Sequence, residues 1–138
     1  YDLHASKRKL VAIAATLAME TPIIIFDEPT TGQDAHGIAM IGSIIRYLKS
    51  QDRTVIAISH DLDFCAEHFD RVVIMSRGCI ILDDDPESVF YQEGILRKAG
   101  LEPPQIARLT RAIDLDATPR TVESFVEAWH IARKGKQT

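Results

Sequence analysis

Ile23-Ile24-Ile25-Phe26 is an unbroken run of β-branched and aromatic side chains, and it ends on two carboxylates, Asp27 and Glu28. A continuous apolar run, as opposed to an alternating one, is the pattern of a strand covered on both faces, as in a parallel sheet. Thr54-Val55-Ile56-Ala57-Ile58 repeats it, and between the two runs Ile38, Ile41, Ile45 and Leu48 fall on one helical face. Strand, helix, strand is the βαβ unit, so the chain is expected to be an α/β protein with a parallel sheet. Upstream, Leu10, Ile13 and Leu17 recur at three and four residues with Val11, Ala14 and Ala18 beside them. That spacing predicts a helix over 6–19, buried on much of its circumference and packed on the sheet.

Downstream the pattern changes. A short helix is expected near 62–69, and Val72-Val73-Ile74-Met75 and Cys79-Ile80-Ile81-Leu82 flank Ser76-Arg77-Gly78, whose glycine suits a tight antiparallel hairpin turn. Asp85-Pro86 places an N-cap before a proline at the first helical position, which starts a short helix through about residue 91. Pro103-Pro104 breaks the chain beyond Gly100. A helix over 106–113 follows, then a last one carrying Val122, Phe125, Val126 and Trp129. Residues 1–99 are expected to form the α/β body and residues 100–138 a helical appendage. Trp129 is expected to pack this appendage or to serve a dimer contact.

Composition narrows the classes of function. Of the 138 residues 46% are hydrophobic and 26% charged, which fits one globular domain. The net charge of −4 argues against a protein that coats nucleic acid. The longest apolar stretch, Leu10 to Met19, is well short of the roughly 18 residues that a spanning helix needs. Cys65 and Cys79 stand alone without metal-ligand spacing, so reduced thiols are expected. Tyr1 opens the chain with no leader pattern after it, and the expectation is a piece of something longer.

Asp27 and Glu28 sit where α/β sheets place ligand chemistry, at the carboxyl end of a parallel strand. Taken alone, the dipeptide could equally be a turn cap with a solvated neighbour. Its neighbours supply a coherent mechanism: Pro29-Thr30, a Gly32-Gln33-Asp34 turn, and a second strand ending in Ser59-His60-Asp61. One carboxylate can hold Mg²⁺ through water, the other can polarise an attacking water, and a histidine from the neighbouring strand end can touch a terminal phosphate.

At these residues the sequence resembles the ATP-binding-cassette ATPases. Ile23 to Thr30 looks like their Walker B strand with its catalytic glutamate, Thr31-Gly32-Gln33-Asp34 like their D-loop, and Ile58-Ser59-His60-Asp61 like their switch-histidine loop. The resemblance covers Leu3 to about Leu82. It implies a P-loop NTPase-like α/β sheet, present in part, with Asp27 organising Mg²⁺ through water, Asp34 in the D-loop, Glu28 as general base, His60 as phosphate sensor, and MgATP as substrate. No G-x-x-x-x-G-K-[ST] string occurs in these residues, so nothing in them cradles β- and γ-phosphates, and the expected match is to the C-terminal part of a nucleotide-binding domain.

The family's Leu-Ser-Gly-Gly-Gln signature is represented by Leu3-His4-Ala5-Ser6-Lys7, in which only Leu3 agrees. Ala5 and Ser6 put side chains where glycine lets backbone approach phosphate, and His4 replaces the serine hydroxyl. Lys7, Arg8 and Lys9 either attract phosphate or form a solvated basic face. Gly100 to Leu109 and Pro119 to Phe125 are similar to the C-terminal extension of energy-coupling-factor ATPases, which power uptake of vitamins or transition metals. That likeness implies a second ATPase domain and a transmembrane coupling subunit as partners, no nucleic acid, and a cytoplasmic position on the inner face of the membrane. Two further readings stay open at this point: a catalytically incompetent half of a cassette dimer, and a soluble cassette ATPase outside transport.

Overall fold

The computed structural model describes residues 5–135, and Leu3 and His4 of the signature-like segment lie outside them. The chain divides into two compact units, Tyr1–His60 and Asp61–Thr138.

The first unit runs α1 (Ala5–Leu17), β1 (Ile23–Asp27), α2 (Ala35–Ser50) and β2 (Thr54–Ile58). The two strands pair in parallel, with Ile23 opposite Thr54 and Asp27 opposite Ile58. Helix α2 begins where the Asp34 side chain accepts a hydrogen bond from the Gly37 N–H at 2.7 Å, an N-cap that satisfies one of the orphan donors of the first turn. Its Ile41, Ile45 and Leu48, spaced four and three residues apart, are fully buried, and Ile24 and Phe26 of β1 are nearly so. The βαβ expectation therefore holds in its element order and strand direction.

Coverage of the sheet is where the sequence reading needs correction. One face of β1 is buried through Ile24 and Phe26, but Ile25 on the other face is 62% exposed, and its β2 neighbours Ile56 and Ile58 are also open. The strands are covered on one face among the described residues, because the helices of this unit bury the Ile24 and Phe26 side alone. Helix α1 departs from expectation for the same reason. Leu10, Ile13 and Leu17 are half-buried, but Val11 and the alanines are exposed, so a single stripe packs and the circumference does not. Ile13 and Leu17 line a cleft with Ile24 and Phe26, to which Lys9 and Asp27 also contribute.

The second unit runs α3 (Leu62–His68), β3 (Val72–Ser76), β4 (Cys79–Asp84), α4 (Pro86–Phe90), α5 (Glu93–Lys98), α6 (Gln105–Ala112) and α7 (Val122–Gly135). Strands β3 and β4 form the expected antiparallel hairpin, with an irregularity between Ile74 and Met75. Its two-residue turn has positive φ at both Arg77 and Gly78, as a type I′ turn requires. Leu62, Ala66, Val72, Ile74, Val89, Phe90 and Leu96 make the core of this unit. Helix α5 was not expected from the sequence.

Residues beyond 100 are tied into this unit by polar contacts. The Gln105 N–H donates to Asp63 Oδ1 at 2.7 Å, the Tyr91 hydroxyl donates to the Pro119 carbonyl at 2.8 Å, and Arg120 lies between Glu87 and Asp70 at 3.3 and 3.6 Å. Trp129 is partly exposed, with the Arg133 guanidinium 5.8 Å from its ring centre. No helix among the described residues is long and apolar enough to cross a membrane.

Candidate functional site

The site is built on the carboxyl ends of β1 and β2. The parallel ladder continues one residue past β1, where the Glu28 N–H donates to the Ile58 carbonyl at 2.8 Å. Glu28 then turns sharply, with φ at +46°, in the left-handed region that a side chain with a Cβ seldom occupies. Such conformations cost on the order of 1–3 kcal/mol and persist where the surroundings over-determine them. The turn throws the carboxylate across to β2, where Glu28 Oε2 meets Nδ1 of His60 at 2.9 Å. The same oxygen accepts the Thr31 hydroxyl at 3.2 Å.

These contacts hold the Glu28 carboxyl below its ordinary pKa. The His60 side-chain hydrogen bond is the main cause, partial burial opposes it, and the His60 charge and the Thr31 hydroxyl add to it. The His60 side chain is 73% exposed, so it is reachable by a ligand arriving from solvent.

Asp27 ends β1 on the open face of the sheet and is exposed. Among the described residues no group of three or more His, Cys, Asp or Glu forms a metal cage. A lone carboxylate at a strand end nevertheless suits Mg²⁺, which keeps several waters and completes its shell with one or two carboxylates and nucleotide phosphates. Asp34 lies apart in role, as the N-cap of α2. A Cβ added at Gly37 would stand 2.5 Å from Gln33 Oε1, which is itself buried without a hydrogen bond, so the end of the Gln33 side chain would have to shift.

Of the signature-like residues, Ala5 and Ser6 begin α1, and Lys7 is exposed on its first turn beside Arg8. Lys9 belongs to neither of the two fates expected for the basic trio. Its ammonium is turned inward and donates to the carbonyls of Glu28 at 2.6 Å and Thr31 at 3.0 Å. The structure brings Glu28 and His60 together, and it places Lys9 and Thr31 beside them, which sequence reasoning does not anticipate. The only signal for Thr31 is its spacing of three residues from Glu28, which a turn folds into contact.

No family model matches the chain. Over 115 residues it is 44% identical to a putative ABC transporter ATP-binding protein of Methanosarcina acetivorans, an alignment that covers 83% of this chain and 18% of the relative. It is 40% identical over 114 residues to the energy-coupling factor transporter ATP-binding protein EcfA2 of Clostridium perfringens, covering 82% of this chain and 40% of that one. Among solved structures, cbiO1 from Clostridium perfringens, described as part of the ABC transporter complex cbiONQ, superposes with a TM-score of 0.59 at 35% identity, over 79% of this chain and 44% of the other. The chain thus spans less than half the length of each of these relatives. Its mixed α/β architecture is that of a P-loop NTPase, and by sequence and fold together the chain belongs to the ATP-binding-cassette ATPases, related to those of energy-coupling-factor transporters.

Proposed function

We propose that these residues supply the water-activating half of an ATP-hydrolysing site in an importer of the energy-coupling-factor type. The observation that carries this is the Glu28–His60 contact of 2.9 Å, formed at the ends of two adjacent parallel strands by a residue held in a left-handed conformation. Glu28 accepts a proton from the attacking water once His60 turns to the phosphate, since the His60 hydrogen bond that lowers its pKa also weakens it as a base. His60 leaves the Glu28 oxygen to donate to the terminal phosphate, which its exposure permits. Asp27 would hold Mg²⁺ through water, and a bound ion would supply charge neutralisation at the phosphates.

Phosphate cradling must come from a G-x-x-x-x-G-K-[ST] loop that these residues do not contain. The partners on this reading are a second cassette ATPase domain and a transmembrane coupling subunit, at the inner face of the membrane. The altered segment from Leu3 to Lys7 suits a heterodimer or tandem dimer in which another domain presents an intact signature to the nucleotide that Glu28 serves.

The test is hydrolysis by the assembled ATPase that carries these residues. Glu28→Gln keeps the shape but cannot take the proton, so turnover falls at least 100-fold, on the order of what general bases contribute, while ATP still binds. His60→Ala impairs turnover as well. Wild-type rates in both variants would overturn the reading. The 138-residue polypeptide by itself is expected to bind nucleotide weakly and to turn none over.

A further inference from the structure

We infer that Lys9 is a positioning residue, whose ammonium ties α1 to the turn bearing Glu28 and so fixes the direction of the Glu28 carboxylate toward His60. This rests on the reading of Glu28 as the water-activating group.

Three observations converge on it. First, Lys9 Nζ donates to two carbonyls of one turn, Glu28 at 2.6 Å and Thr31 at 3.0 Å, whereas Lys7 and Arg8 on the same helix face solvent. Second, the turn is poorly closed by its own backbone. The Thr31 N–H reaches the Glu28 carbonyl only at 3.4 Å, so the shorter hydrogen bond to that carbonyl is the one from Lys9. Third, Glu28 has a positive φ of 46° without being glycine, a conformation with a cost that contacts around the turn must offset.

A charged donor bridging the first and last carbonyls of the turn is such a contact, and hydrogen bonds to an ionised group are the stronger kind. The Thr31 hydroxyl completes the arrangement. Lys9 holds the Thr31 backbone, and Thr31 Oγ1 donates to the same Glu28 oxygen that meets His60. A shift of α1 along its axis is thereby passed to the carboxylate through one side chain.

Lys9→Met preserves the apolar stem that lies along the cleft and removes the donor; Lys9→Arg restores a donor of similar reach. In the 138-residue chain, the backbone carbonyl ¹³C resonances of Glu28 and Thr31 should move in Lys9→Met and return toward wild type in Lys9→Arg. In the assembled ATPase, Lys9→Met should lower kcat about 10- to 100-fold, the order expected for a misplaced catalytic group. The KM for ATP and the stoichiometry of bound ATP should stay unchanged, and Lys9→Arg should recover most of the rate. Unmoved carbonyl resonances, or a wild-type kcat in Lys9→Met, would overturn the inference. So would a kcat that falls only in step with bound ATP, since that marks a folding defect. Full turnover in Glu28→Gln overturns the hydrolysis reading instead, and the carbonyl resonances then decide by themselves whether Lys9 holds the turn.

Discussion

His60 Nδ1 and Glu28 Oε2 are 2.9 Å apart, although the residues are 32 positions apart in sequence and stand at the ends of different strands. Register explains the meeting. Asp27 lies opposite Ile58, so one further residue on β1 and two on β2 bring the side chains together. The left-handed turn at Glu28 then aims the carboxylate at the imidazole instead of continuing the pleat.

That contact has a titration signature. The Glu28 pKa is lowered chiefly by the hydrogen bond from His60, so His60→Ala should raise it toward the ordinary value of 4.5. A carboxyl ¹³C titration of the two proteins checks this, and equal midpoints would be the contrary result. The sign for stability follows. A depressed folded pKa means the contact contributes above the unfolded value and is lost as pH falls through the lowered one. Wild type should therefore lose its advantage over His60→Ala on acidification below about pH 4.5 and keep it above. The advantage is small, since both groups are partly exposed.

Asp34 gives a second expectation, because its side chain caps α2 through the Gly37 N–H at 2.7 Å. Asp34→Ala should lower stability by about 1 kcal/mol, with Asp34→Asn close to wild type, since both Asp and Asn are good N-caps. Denaturant melts of the two variants decide it. Equal losses in both would point to the charge rather than the cap.

In the second unit, Phe90 is 1% exposed within the cluster that includes Val89 and Leu96. Phe90→Ala removes an aromatic ring from a packed interior and should cost about 3–5 kcal/mol. A loss below about 1 kcal/mol in urea melts would mean the site collapses around the missing ring, against the packing described.

How much of this could be read beforehand depends on the kind of signal each feature leaves. The placement of Asp27, Glu28 and His60 at neighbouring strand ends was legible because strand ends are marked in sequence, by an apolar run stopping at polar or charged residues. The left-handed turn was not. Its usual marker is glycine or asparagine, and Pro29 after Glu28 instead suggests extended backbone. Lys9 was illegible for another reason: a lysine among Lys7 and Arg8 reads as one face of a helix, and only the placement of α1 beside the turn singles it out. Helix α5, with six residues and no side-chain cap, carries neither a long period nor a start signal.

The last expectation separates the two faces of β1, which the sequence treats alike. Ile24 and Ile25 are adjacent, identical in chemistry, and part of one apolar run, so composition predicts the same penalty for losing either. The fold predicts different ones. Ile24 is 3% exposed on the face with Phe26, whereas Ile25 is 62% exposed on the face shared with Ile56. Ile24→Ala should therefore cost about 2–5 kcal/mol, from lost transfer energy and the cavity left behind. Ile25→Thr keeps a β-branched side chain on an exposed position and should change stability by less than about 0.5 kcal/mol. Paired urea melts of the 138-residue chain make the comparison, with equal slopes required so that the midpoints report stability. Similar losses at both positions would mean that β1 is covered on both faces after all, and would restore the expectation drawn from the unbroken run.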